Sequence, residues 1–573
     1  MKKIQKLAML LGLAPIVVFS SCSNEFLDRK PTTSLETSMV LTDPDMAPTT
    51  VVGSMSMFSG YGFMGRNGVI GGELMTDVAV TMGKSGHLQD LEKWNIEPNM
   101  DELSGFWSYC YAVSASATRT SFSCLELLSD STKHNLTSAQ KTTLRNAIAC
   151  SKVIRAYCDL YLLQYFCVDY NLTPNHDEKT GVPGNNPYKV GIILLGDQPL
   201  GIKEDANMST LEACYEALEK TLEEAIAFFE ESNTSTYTPS SESRYFPTLC
   251  AAYVMQARVF MAQHDYDKAL TAVDNAMAHL PSGTSANLIS NYETLYEGYK
   301  SAAATSEDIW TINYTSQDNL SANSLQNFFG SYHCVISANI RNKFKTNDFR
   351  SKLYPTEPKE ESCCLKYPNS TGVFNVPVMR VPELYLIRAE VAASKGDRNG
   401  MIDALFEILK ARDTSVHERA DIEGGSYNYG TLEEDAKVLI PIVLDERIKE
   451  YAGEGYRWSD LRRNANYGVR LNRPGLSSNP SYMLHFGNYN LARFALPVPF
   501  AETSTEQWSR GKGIISTNPF HQDDHNWQNN AWEIFEGGNY TLSDKSLQPH
   551  EGDGLDADGK VAPETPATWT AVK

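Results

Sequence analysis

Six charged residues crowd into one short stretch, Glu446, Arg447, Glu450, Glu454, Arg457 and Asp460. On a helix, Glu446, Glu450 and Glu454 follow at i, i+4 and i+8, so three carboxylates share one side. A hydrolase could draw on such a face, because it needs two carboxylates about 5–10 Å apart across a substrate cleft. The same residues have a plainer use, in which Arg447 and Arg457 neutralise the acids and fix neighbouring helices, and that use is the expectation. Other chemistry finds less support. The chain holds no Gly-x-Ser-x-Gly, His-Glu-x-x-His or Gly-x-x-x-x-Gly-Lys-Ser/Thr, so no nucleophile elbow, zinc-protease helix or phosphate loop is indicated. His521 and His525 have the spacing of a helical metal pair, yet the Asn and Asp around them favour a loop. Asp556-Ala557-Asp558-Gly559 has the look of a calcium loop, but Gly554 stands at the first ligand position. The expectation is therefore no catalytic residue, no metal and no cofactor.

The elements that would carry these residues are mostly helical. Leu144, Ile148, Ile154, Cys158, Leu162 and Tyr165 mark one face of a long helix ending near Phe166. Ser209-Thr210-Leu211-Glu212 reads as a capping box opening a second helix, with Leu211, Tyr215, Leu218, Leu222, Ala225 and Phe229 along one side. Between them, residues 167–208 hold four prolines and form a long surface excursion. Residues 250–283 fit a 34-residue tetratricopeptide frame: Tyr253, Ala257 and Phe260, a turn from His264 to Ala269, then Val273, Ala276 and Pro281. A second copy runs from Pro382 to Arg412 through Tyr385, Ala389, Ala392, Gly396-Asp397, Met401, Leu405 and Ile408. Small residues are needed where paired helices approach, and aromatics fill the wedge to the next pair. Repeats stack on neighbours, so the helices at 144–166 and 209–231 should complete the array. Glu307 to Tyr314 reads as a strand.

With 573 residues, 42% of them hydrophobic and 21% charged, the chain has globular composition. Fifty Lys and Arg against 70 Asp and Glu give −20, which disfavours nucleic acid as a partner. Lys2, Lys3 and Lys6 precede the apolar run Leu7–Phe19, too short for a membrane span and typical of an export signal. Phe19-Ser20-Ser21-Cys22 then resembles a bacterial lipobox, so residues 1–21 are expected to be removed and Cys22 lipidated. The loss of three lysines leaves 47 basic residues against 70 acidic ones, or −23, so the lipid rather than the charge would hold the protein to a membrane. The ten remaining cysteines are too sparse for a disulfide scaffold, with Cys363-Cys364 the only adjacent pair.

Asp445 to Arg463 (DERIKEYAGEGYRWSDLRR) resembles the signature of the SusD/RagB family, surface lipoproteins of Bacteroidetes that bind nutrients and cap a TonB-dependent outer-membrane transporter. Further matches keep the family's order: Cys22 to Pro31, Ile154-Arg155-Ala156 with Tyr165-Phe166, Gly196 to Leu200, Arg380 to Asp397, and Leu496 to Pro499. The resemblance implies a mainly α fold, a tetratricopeptide-like helical repeat scaffold with irregular loop-rich regions and a few short strands. Residues 22–573 would form one domain, with repeats at roughly 107–166, 209–283 and 380–463. Loop-rich, ligand-side regions would lie at 40–106, 284–379 and 464–550, before a flexible tail at 551–573.

The family's ligand platform lies in loops away from the repeats, which implies Asp77, Trp94 and Asn95 in a first region and Tyr296, Trp310 and Tyr332 in a second. Packing is the ordinary alternative for Trp94 and Tyr296, and core for Trp310; Trp107 and Tyr111 read as core. The implied function is a non-enzymatic, outer-membrane, cell-surface lipoprotein that captures an oligosaccharide for a SusC-like transporter. Peptide or glycoprotein fragments are an alternative cargo, and a repeat-based assembly adaptor without a small ligand is a further alternative.

Overall fold

A computed structural model describes residues 42–82, 86–92, 96, 98–131, 134–167, 169–170, 190–196, 208–232, 242–359, 361–368, 372–464, 467, 470–473, 482–485 and 495–503. The expected signal and Cys22, the histidine pair 521/525, Trp94, Asn95 and the tail lie outside them.

In chain order the principal elements are α1 (Ala47–Phe58), α2 (Asn67–Met75), β1 (Ala79–Thr81), α3 (Asp101–Ser129), α4 (Ser138–Phe166), β2 (Val190–Ile193), β3 (Met208–Thr210), α5 (Leu211–Glu231), α6 (Leu249–Gln263), α7 (Tyr266–Ala278) and α8 (Tyr292–Lys300). Then come β4 (Asp308–Asn313), α9 (Leu325–Phe329), β5 (Cys334–Ile336), β6 (Asn375–Arg380), α10 (Pro382–Ser394), α11 (Arg398–Arg412), α12 (Ala436–Tyr451), α13 (Arg457–Arg463), β7 (Arg470–Arg473) and β8 (Tyr482–His485). The scaffold is a succession of packed antiparallel pairs: α3 on α4, α4 on α5, α5 on α6, α6 on α7, α7 on α10, α10 on α11, and α12 on α10. No helix among the described residues is long and apolar enough to cross a membrane.

Local chemistry accounts for the boundaries. Thr137 and Gln140 close a reciprocal capping box at the start of α4. At α5 the cap is Thr210, whose hydroxyl accepts from the Ala213 amide at 3.2 Å; Ser209 lies in β3 instead, so a single-sided cap one residue later replaces the expected box, because Ala213 has no side-chain acceptor to complete one. The two repeats turn in the same way. α6 ends on His264 with φ +58°, and α10 is followed by Gly396 with φ +71°. Each is followed by an aspartate that caps the next helix, Asp265 on the Lys268 amide and Asp397 on the Gly400 amide. A Cβ at Gly396 would also stand 2.9 Å from the Glu434 carbonyl. Ala257, Ala269 and Ala389 are fully buried where the paired helices approach.

Residues 40–106 are less loop-like than expected, since they contain α1, α2 and the start of α3. α1 buries Val51, Met55 and Phe58 along one stripe. α2 (NGVIGGELM) is buried from Gly68 to Met75; a helix covered on all sides shows no amphipathic period. The described strands form two-stranded antiparallel sheets, among them β1 with β5 and β4 with β6.

Candidate functional site

The acidic cluster is an interior charge lattice. Arg350 pairs with Asp348 and Glu446 at 2.6 Å and with Glu450 at 3.0 Å. Arg380 reaches Glu450 at 2.8 Å and Glu454 at 2.7 Å, while Arg412 reaches Glu307 at 2.7 Å and Glu450 at 3.0 Å. Lys366 pairs with Glu454 and Lys449 with Glu446. Five cations thus face five carboxylates, all buried. Burial opposes the charge on Glu450, but Arg412, Arg380 and Arg350 outweigh it and hold the carboxyl well below its ordinary range. Beside this lattice, Arg447 and Arg463 share Asp460 at 2.8 and 2.7 Å and also face Glu390. Burial opposes the Asp460 charge too, and Arg447 and Arg463 outweigh it. Carboxylates paired in this way hold helices together.

One further carboxyl borders the lattice. Glu73 on α2 accepts the Gly453 and Gly455 amides. Burial pushes it up to about 8, against the pull of those amides and of Lys366. A charge-balanced interior thus keeps this acid protonated at neutral pH. Nearby, a cavity of about 70 Å³ lies among Tyr157, Arg258, Glu383, Tyr456 and Asp460. It has room for a few waters and none for an oligosaccharide.

Two of the expected ligand residues belong to the interior. Asp77 is buried and ion-paired with Arg457 at 2.9 Å. Trp310 lies in β4, where five successive residues are buried; its ring stacks on Phe58 at 5.0 Å and meets Tyr157 edge-on. Neither presents a face to a ligand, because each fills a contact that the fold itself requires. Trp107 is buried as expected; Tyr111 is half-buried, and its hydroxyl accepts from the Ile193 amide at 2.9 Å. Tyr296 is half-buried on α8, stacked on Tyr292 at 5.5 Å, with the Lys300 ammonium over its ring.

Tyr332 is placed differently. β1 pairs with β5 through Ala79↔Ile336, Val80↔Val335 and Thr81↔Cys334, and the Met82 amide extends the ladder to the His333 carbonyl at 3.2 Å. The pairing brings the segment after Asp77 against the one around Tyr332, although about 250 residues separate them. His87 lies on the Tyr332 ring at 4.6 Å. Tyr332 meets Phe328 at 6.0 Å, and the Arg66 guanidinium stands 6.0 Å from Phe328 and 5.3 Å from Tyr61. Tyr61 in turn meets Tyr109 at 6.4 Å. The ends of this band reach solvent, His87 being exposed and Tyr61 42% exposed, whereas Tyr332 is half-buried and Phe328 is fully buried. Ring faces that reach the surface, with a guanidinium set against Tyr61, suit a flat ligand that carries C–H faces and hydroxyls.

Of the expected ligand residues Tyr332 lies in this band, while Tyr61, Arg66 and His87 were not among those expected. A signal for two of them was available in Gly60-Tyr61-Gly62-Phe63-Met64-Gly65-Arg66-Asn67-Gly68, where four glycines space rings and an arginine.

The SusD family model matches residues 365–547. A SusD superfamily protein from Bacteroides fragilis is similar at 19% identity, over 81% of this chain and 98% of that one, with a TM-score of 0.63. One from Bacteroides thetaiotaomicron is also 19% identical, over 80% and 97%, at 0.61. Surface glycan-binding protein A from Bacteroides thetaiotaomicron, solved in complex with laminarihexaose, is 15% identical over 80% and 97%, at 0.54. Among curated proteins none matches.

Proposed function

We propose, on the premise that this chain belongs to the SusD family, that it is a surface glycan-binding lipoprotein that captures an oligosaccharide without cleaving it. The observation that carries this reading is the ring band that runs from Tyr61 through Arg66 to Tyr332 and His87 and reaches solvent at Tyr61 and His87. A relative of the same fold is described with laminarihexaose, which supports a sugar as the ligand class. Capture rather than cleavage fits the acidic cluster, whose carboxylates are all committed to cations.

In this reading Cys22 carries the lipid that holds the protein at the outer membrane. The helical repeats dock on a SusC-like TonB-dependent transporter while the loop side, with the ring band and with Trp94 and Asn95, meets the sugar. Titration calorimetry of the protein lacking residues 1–22 against a panel of oligosaccharides tests it. Heat for at least one sugar, weakened in Tyr61→Ala and Tyr332→Ala, is the expected outcome. Heat only for peptides would transfer the proposal to peptide cargo, and released reducing ends would replace it with an enzyme.

A further inference from the structure

Arg66 differs from the other arginines described above. Arg350, Arg380, Arg412, Arg447, Arg457 and Arg463 are buried and each answers a carboxylate. Arg66 is as deeply placed, 4% exposed, and among the described residues it pairs with no acid. Its Nε donates to the Asn67 side-chain oxygen at 2.9 Å and one terminal nitrogen to the Asn323 side-chain oxygen at 3.2 Å. Both acceptors are neutral. The titratable groups that bear on it are the phenols of Tyr332 and Tyr61, and burial lowers its pKa. Its second terminal nitrogen has no partner among the described residues, although a guanidinium carries five N–H donors.

A desolvated cation without a counterion is costly to hold, and a fold that needed only a bridge here could use a neutral side chain. The surroundings add direction. The guanidinium stands between the Tyr61 and Phe328 rings, inside the band that ends at Tyr332 and His87. An anionic group brought there would meet the free fork edge while its carrier lay on the Tyr61 face, about one sugar unit away. Charge-assisted pairing of this kind is stronger than a neutral hydrogen bond. The overall charge of −20 would repel such a ligand at long range, so selection must be local.

We propose that Arg66 is the specificity residue of the ring band and that the glycan taken there is acidic, bearing a uronate carboxylate or a sulfate ester that becomes the counterion Arg66 lacks. The proposal rests on the glycan-binding reading above and narrows it.

The test uses calorimetry on the same lipid-free protein with two matched pairs. One is hexagalacturonate against its full methyl ester; the other is a sulfated galactan hexasaccharide against its desulfated form. The charged member of one pair should bind about tenfold tighter than its neutral partner, and which pair shows the preference separates carboxylate from sulfate. Arg66→Gln should reduce the preference to within about twofold, and Arg66→Lys should keep part of it. Should Arg66→Gln fail to fold, Asn323→Asp supplies an internal counterion at the same place and should abolish the preference in a folded protein. Equal binding of charged and neutral partners, or a preference that survives both Arg66→Gln and Asn323→Asp, overturns the assignment and leaves glycan binding standing. Binding of neutral sugars alone does the same. If no oligosaccharide in the wider panel binds, the glycan reading falls and this inference with it.

Discussion

Glu73 offers a direct measure of how completely the interior charges are matched. It is buried against a lattice already balanced by five cations and five carboxylates, and its carboxyl is raised from 4.5 to about 8. A carboxyl that binds its proton more tightly when folded contributes stability that is fully present below about pH 4.5 and is lost as pH rises through about 8. At roughly 1.4 kcal/mol per unit, the full displacement corresponds to at most about 5 kcal/mol between those limits. Glu73→Gln keeps the acceptor for the Gly455 amide and cannot ionise. The variant should therefore be close to the parent at pH 5 and more stable by about 2–5 kcal/mol at pH 9. Urea unfolding of both proteins at pH 5, 7 and 9 reads the difference directly, because every other titrating group is common to the two. Parallel stability curves across that range, or a variant that loses stability as pH rises, would refute the argument that burial keeps this acid neutral.

Other outcomes follow from the same geometry. Arg412→Met leaves Glu307 and Glu450 short of a partner and should cost about 3–5 kcal/mol in denaturant unfolding. Trp310→Ala should cost a similar amount, about 3–5 kcal/mol, while any loss of sugar affinity should track the loss of fold. Tyr332→Ala should show the opposite pattern, an unchanged melting temperature with affinity for a bound oligosaccharide weakened about tenfold. Gly396→Ala should destabilise by about 1–2 kcal/mol, since the turn needs a left-handed residue there, and a melting temperature equal to that of the parent would contradict it.

The repeats were legible because their turns are written in residue types. Asp265 and Asp397 cap the second helix of each pair, and alanines mark the close approaches. α2 was not legible, because burial on every side erases the period that reveals a helix, and its glycines argue against one. The charge lattice was legible as a cluster at 446–460, but its partners Glu307, Arg350, Lys366, Arg380 and Arg412 come from distant segments that only tertiary pairing unites. At the candidate site, Trp310 misled because a large ring suits a core as well as a platform. Tyr332 gained meaning only through the β1–β5 pairing, and Arg66 only through a missing carboxylate, which no spacing can show.

The lattice also bears on how the molecule is made. Tandem helical pairs can ordinarily form one after another, each resting on the last. Here Glu446, Glu450 and Glu454 answer cations contributed by residues as far back as Arg350, so a chain emerging amino end first leaves guanidinium groups unmatched until α12 arrives. Maturation should accordingly proceed in a single late step, and a chain truncated before residue 446 should remain soft and open to proteases along the 307–412 segment.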